Sequence, residues 1–166
     1  MSTVTAAPDA TRAGKFLTFF LAGEEYGLEI LKVSEIIGMQ PITRVPRTPA
    51  HIRGVINLRG KVIPIMELRA RFGMPRDGTE ETCIIVVQVA GIQTGVIVDK
   101  VSEVVSIVDA EIEDAPTFGE AIRTEYLLGI GKAQGRVKLL LDIDRVLSGD
   151  DLAAAAAVAE AADAES

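Results

Sequence analysis

Apolar residues recur along this chain in short runs separated by polar residues and glycine. KFLTFFL, YGLEI, VSEII, GVINL and KVIPIM follow one another before residue 70, and CIIVVQV opens a comparable series after residue 82. Runs of this length, rich in Val, Ile and Phe, have the dimensions of β-strands rather than of helices. ELRARF and DIDRVL carry a different spacing and predict short amphipathic helical segments.

The series repeats. AGEEYGLEILKVSEII, residues 22–37, aligns without a gap on AGIQTGVIVDKVSEVV, residues 90–105, with seven identities in sixteen positions. GVINLRGKVIPIMELRARF from Gly54 then aligns on GIGKAQGRVKLLLDIDRVL from Gly129, keeping Gly60/Gly135, Val62/Val137 and Glu67/Asp142. Self-similarity on this scale constrains the whole architecture. It predicts two halves, 16–72 and 83–147, of five strands each, joined by the polar linker MPRDGTEET. A half of about 60 residues is marginal alone. Closing each sheet and packing the halves together removes free edges and adds core. The expectation is an all-β protein: two five-stranded barrels packed together across residues 15–147, with short helical segments. Residues 1–14 read as a disordered tail and 148–166, rich in alanine, as a C-terminal helix or tail.

Composition adjusts this picture little. Apolar residues make up 48% of the 166 and aromatics only 4%, so the core must be aliphatic. A net charge of -7 disfavours a protein that works by neutralising phosphates. No run approaches the roughly 18 apolar residues of a membrane helix, and no signal peptide is evident, so a soluble, cytoplasmic protein is expected. The lone Cys83 lies within an apolar run and reads as packing, and one histidine, His51, cannot build a His-rich zinc site.

Candidate reaction chemistry is thin. GIGKAQG lacks the hydroxyl and the following helix of a phosphate loop, and the repeat makes it a hairpin. Asp142 and Asp144 resemble a metal pair, but the first half has Glu67 with Arg69 there, so carboxylates opening a helical turn are the simpler reading. No enzyme, metal or cofactor is expected. Charge supplies the stronger signal. From Ile36 to Met66 there is no carboxylate, yet Arg44, Arg47, Arg53, Arg59 and Lys61 fall there, while the approach to the second hairpin holds Asp109, Glu111, Glu113, Asp114, Glu120 and Glu125. Opposite charge on a duplicated plan is a polarised surface of the kind that orients partners. Gly60 predicts a tight turn that fixes Arg59 at a rim, and Pro64 predicts an edge or a bulge. A small-barrel module for single-stranded nucleic acid is the alternative, weakened by the lack of aromatic stacking platforms.

EYGLEILKVSEIIG, TPAHIRGVINLRGKVIPIMELR, GVIVDKVSEVVSI and EYLLGIGK, in that order, closely resemble the CheW-like family of chemotaxis coupling proteins. The resemblance covers about residues 15–147 and implies two SH3-like barrels. It further implies a non-enzymatic adaptor that joins the tips of chemoreceptors to the CheW-like regulatory domain of the histidine kinase CheA, at the inner face of the membrane. Family positions for the receptor tip match Val33, Glu35, Gly54, Arg59, Val98, Val101 and Val104, with Arg59 as polar anchor and Glu35 as its partner. A kinase contact on the second barrel is expected at Ile84 and Val86.

Overall fold

The computed structural model describes residues 13–46, 48–75, 80–89, 91–114, 126–133 and 135–147. The tails expected at 1–14 and 148–166 fall outside these almost entirely, as do Arg47, Glu120, Glu125 and part of the predicted linker.

Eleven strands follow in chain order: β1 (Gly14–Leu21), β2 (Glu24–Glu29), β3 (Val33–Gly38), β4 (Ile52–Leu58), β5 (Lys61–Glu67), β6 (Cys83–Val89), β7 (Ile92–Val98), β8 (Lys100–Ile107), β9 (Ile112–Glu113), β10 (Leu127–Ala133) and β11 (Arg136–Leu141). Two short helices, α1 (Leu68–Arg71) and α2 (Ile143–Val146), close the halves where ELRARF and DIDRVL predict them. GIGKAQG forms the β10–β11 hairpin. The predicted strands are therefore present, and β9 is a two-residue addition.

The sheets do not follow the sequence halves. One has the order β8-β1-β2-β11-β10-β9 and the other β3-β6-β7-β5-β4. Superposing the two repeats strand by strand turns one order into the other, apart from β9. Each sheet thus takes the first hairpin of one copy and the last three strands of the other, so 16–72 and 83–147 are repeats of sequence but not separate sheets. The exchange is reciprocal, and its joints are the parallel pairings β2–β11 and β5–β7 with the antiparallel pairings β1–β8 and β3–β6. Crossing strands between the units replaces two marginal 60-residue folds with one that has to form together.

Local irregularities repeat as well. The KVSE strands β3 and β8 each carry a register shift against their partner, between Val33 and Glu35 on β3 and opposite Thr18 on β1. There Thr18 Oγ1 donates to the Glu103 carbonyl at 3.0 Å. Pro64 lies on an interior strand rather than an edge, and the alternative expectation of a bulge is met beside it, where the β4–β5 register shifts between Ile52 and Gly54. The proline is tolerated because the β5–β7 ladder begins at Ile65, so no β7 carbonyl waits for its missing N–H.

Apolar side chains separate into three clusters. Ile56, Ile63, Ile65, Ile84, Val86 and Ile97 fill the concave side of the five-stranded sheet, and Phe16, Val105, Ile107, Ile112, Ala133 and Leu140 fill that of the six-stranded one. The largest cluster lies between the sheets and draws on both, from Leu17, Phe19 and Tyr26 to Ile85, Val87 and Val96. β6 shows the alternation: Ile84 and Val86 face the small cluster, Ile85 and Val87 the large one, all four at 0% exposure. A strand covered on both faces is uniformly apolar, as CIIVVQV is. Stacked rings run through the seam from Phe19 to Tyr26, Phe72 and Tyr126, and burial holds the Tyr26 hydroxyl far above its ordinary pKa.

An ion pair pins the seam from outside. Arg69 on α1 donates to Asp99 at 2.9 and 2.5 Å, and Asp99 also accepts the Ala22 N–H at 2.8 Å from the β1–β2 turn. Burial disfavours the Asp99 carboxylate, but the bonds from Arg69 and Ala22 and the arginine's charge outweigh it and lower its pKa. Because the folded value lies below the unfolded one, this stabilisation is present above the ordinary value of 3.8 and is lost as pH falls through the depressed one. Asp99→Asn is therefore expected to lower the urea midpoint at neutral pH and to flatten its decline in acid. Parallel acid limbs in the two proteins would remove Asp99 from that role.

Candidate functional site: the clasp and the seam

Arg53, Arg59 and Lys61 have three different fates. A register shift between Ile52 and Gly54 turns Arg53 onto Glu67, with Nη1 donating to Oε1 at 2.5 Å, and Glu67 is buried. A buried carboxylate is tolerable because a charge-assisted bond compensates its lost hydration. Lys61 stands exposed at the start of β5.

Arg59 occupies the two-residue turn between β4 and β5, with φ of 54°, followed by Gly60 at 85°. Two positive φ values in succession define the hairpin turn that matches strand twist, and a non-glycine residue in the first position is uncommon. The Asn57 side chain accepts the Gly60 N–H at 2.8 Å and holds the turn. Arg59 is thereby projected across to β3, where Nη1 donates to Glu35 Oε1 at 3.2 Å and Nη2 to Oε2. β3 and β4 are the two outer strands of the five-stranded sheet, so this bidentate pair is a clasp across the opening. Ile37 of β3 and Leu58 of β4 pack in the same small cluster beneath it. The hydrogen bond and charge of Glu35 raise the Arg59 pKa further, so the cation persists at every physiological pH. With 68% of the Arg59 side chain exposed, the clasp can be approached by a partner.

Of the seven receptor positions expected from sequence, the structure joins Glu35 to Arg59 directly. Val33 and Val101 are equivalent residues of the two KVSE strands, half-buried against the large inter-sheet cluster, and Val98 lies within that cluster at 0% exposure. Val104 is 51% exposed on β8. Gly54 is buried beside Thr43 and offers no side chain to a partner. Ile84 and Val86, expected to touch the kinase, are both 0% exposed inside the small cluster. That expectation is corrected: neither side chain can reach a partner while the sheet is intact.

Sequence reasoning missed Ile36, 45% exposed next to Glu35 on β3, Met39, 43% exposed just past the end of that strand, and Leu31, 95% exposed at the crossover into it. VSEII reads as a buried strand, and its signal was that β3 ends a sheet. Among the described residues no group of three or more His, Cys, Asp and Glu could hold a metal. Asp142 accepts the Asp144 N–H at 3.1 Å and caps α2, the simpler of its two readings. Burial raises the pKa of the Cys83 thiol and so favours its protonated form. No helix among the described residues is long and apolar enough to cross a membrane.

A family model described as the CheW-like domain matches residues 15–151, the span of both sheets. The chain belongs to the CheW-like family. It is 40% identical over 154 residues to a chemotaxis protein CheW of Klebsiella aerogenes, covering 92% of this chain and 93% of that protein. It is 36% identical over 152 residues to that of Rhizobium meliloti, covering 90% and 98%. The crystal structure of the scaffolding protein CheW from Thermoanaerobacter tengcongensis matches with a TM-score of 0.77 at 36% identity, over 84% of this chain and 95% of that one. CheW-like membership accounts for a surface with docking features and a core without reaction chemistry.

Proposed function

We propose that the chain is a chemotaxis adaptor, a non-enzymatic scaffold that couples chemoreceptors to the histidine kinase CheA. The observation that carries this reading is the Arg59–Glu35 clasp beside the half-buried valines of two equivalent edge strands, in a chain matched over 90% and 92% of its length by proteins named for chemotaxis. Curling of each sheet around its own small cluster supports two SH3-like barrels. The receptor tip, a helical hairpin, lays its apolar face over Val33 and Val101 with Val104 and Ile36 at the margins, and Arg59 serves as polar anchor. The kinase's CheW-like domain docks elsewhere, and the exposed Val108, just past the end of β8, and Val137 of β11 replace Ile84 and Val86 as its nominees. Receptor arrays then hold the adaptor at the inner face of the membrane. The nucleic-acid alternative lacks support: two of the interval's cations are spent on carboxylates of the same chain.

Arg59→Glu places two carboxylates at the clasp. A variant that keeps its fold by circular dichroism is expected to bind a receptor-tip fragment at least tenfold more weakly in a calorimetric titration, about 1.4 kcal/mol or more. Unchanged affinity would exclude Arg59 as the anchor.

A further inference from the structure

The two KVSE strands are built alike and finished differently. In the repeat, Glu103 of β8 stands where Glu35 stands on β3, and Val101 and Val104 stand where Val33 and Ile36 do. Their ladders agree as well. Val33 and Ile36 pair with Val87 and Ile85, Val101 and Val104 pair with the equivalent Phe19 and Leu17, and each strand carries one extra residue in between. On β8 the bulge is held by Thr18, whose Oγ1 donates to the Glu103 carbonyl at 3.0 Å and accepts the Glu103 N–H at 3.2 Å. A bulge re-aims the side chains beside it, so the shared bulge presents Glu103 on the second strand as it presents Glu35 on the first.

The carboxylates part company there. Glu35 receives the Arg59 guanidinium on both of its oxygens. Glu103 is exposed, and among the described residues its carboxylate has no hydrogen bond and no ion pair. The second repeat has the uncharged Gln134 at the sequence position of Arg59. The cations of the β10–β11 hairpin are engaged elsewhere, Lys132 with Glu113, and Arg136 and Lys138 with Glu25. Beside Glu103, Val104 is exposed and Val101 half-buried. A carboxylate between two accessible valines offers an arginine what Glu35 offers Arg59: two acceptor oxygens for a planar fork, with apolar surface for the stem. We infer that Glu103 takes an arginine of the receptor tip, so that the partner supplies across the interface the cation that Arg59 supplies within the chain. The inference rests on the receptor reading above, which lays the tip over Val101 and Val104. It gives that contact two charged points of opposite sign, Arg59 and Glu103, and so fixes which way round the tip lies.

Calorimetric titration of a receptor-tip fragment into the whole chain tests this. Glu103→Gln, which keeps the side chain's shape, is expected to weaken binding about tenfold and to reduce its dependence on salt, with affinity for the CheA regulatory domain unchanged. Glu103→Arg should weaken binding further, and changing the arginines of the tip to glutamate one at a time should reveal one exchange that restores it. Wild-type affinity in both variants, each folded by circular dichroism, would overturn the inference and leave the adaptor reading standing. A loss that no exchanged tip arginine restores, or one that falls on the CheA domain in place of the tip, would do the same. Failure of the wild-type chain to bind the tip at all would overturn the receptor reading, and this inference with it.

Discussion

Glu25→Ala is expected to destabilise the protein by about 3 to 5 kcal/mol, the range for stripping one partner from a buried ion pair. Lys138 is 1% exposed, and its ammonium lies 3.4 Å from Glu25 Oε1 and 3.4 Å from the Ala133 carbonyl, with no other partner among the described residues. Removing Glu25 leaves that cation inside a sheet with one carbonyl for company. Arg136, 3.6 Å from the same oxygen, is exposed and can turn to water, so its loss of partner costs little. The other sheet has solved the equivalent positions without charge, placing Gln93 opposite Glu25 in the repeat and Ile63 opposite Lys138. Glu25→Gln with Lys138→Ile should accordingly recover most of the loss in urea unfolding. If the single substitution left the midpoint unmoved, or the double one fell further, the pair would not be the dry contact described.

Gly54→Ala is the second large effect, about 3 kcal/mol by combining overpacking with an unfavourable backbone. Gly54 has φ of 146°, and a Cβ there would stand 2.1 Å from the Thr43 carbonyl oxygen. That oxygen accepts the Val55 N–H at 2.9 Å, one of two bonds tying the loop before β4 to the strand, and Ile42 beside it packs into the small cluster. A backbone atom cannot swing aside as a side chain does, so the loop itself would have to detach. Gly60→Ala makes the comparison, since Gly60 has φ of 85° but open space around it, and should cost about 1 kcal/mol. Equal losses at the two sites would show that dihedral strain alone matters. Gly54 thus lets the Thr43 loop lie against β4, the strand that leads into Arg59.

The strands, the short helices and the duplication were legible because each rests on local pattern: period-two runs, turn glycines, and KVSE repeated where a register shift repeats. Exchange of hairpins between the sheets was not legible, since alternation tells which face a residue takes and says nothing about which strand lies beside it. Arg59 stood out from its place beside a turn glycine and Glu35 through family likeness, while their meeting across the two outer strands of a sheet needed the fold. For Ile84 and Val86 the sequence did hold the answer. An unbroken CIIVVQV run belongs to a strand buried on both faces, which disqualifies it as a docking surface. Ile36 escaped notice because an apolar residue on the end strand of a sheet looks in sequence like one at its centre.

Coupling itself is the claim to measure. A receptor-tip hairpin fixed to a surface, washed with the CheW-like regulatory domain of CheA, should retain that domain only when this chain is added, and much less with Arg59→Glu. Retention of the kinase domain to the same extent without the chain, or failure of the folded chain to hold either partner, would contradict the adaptor account.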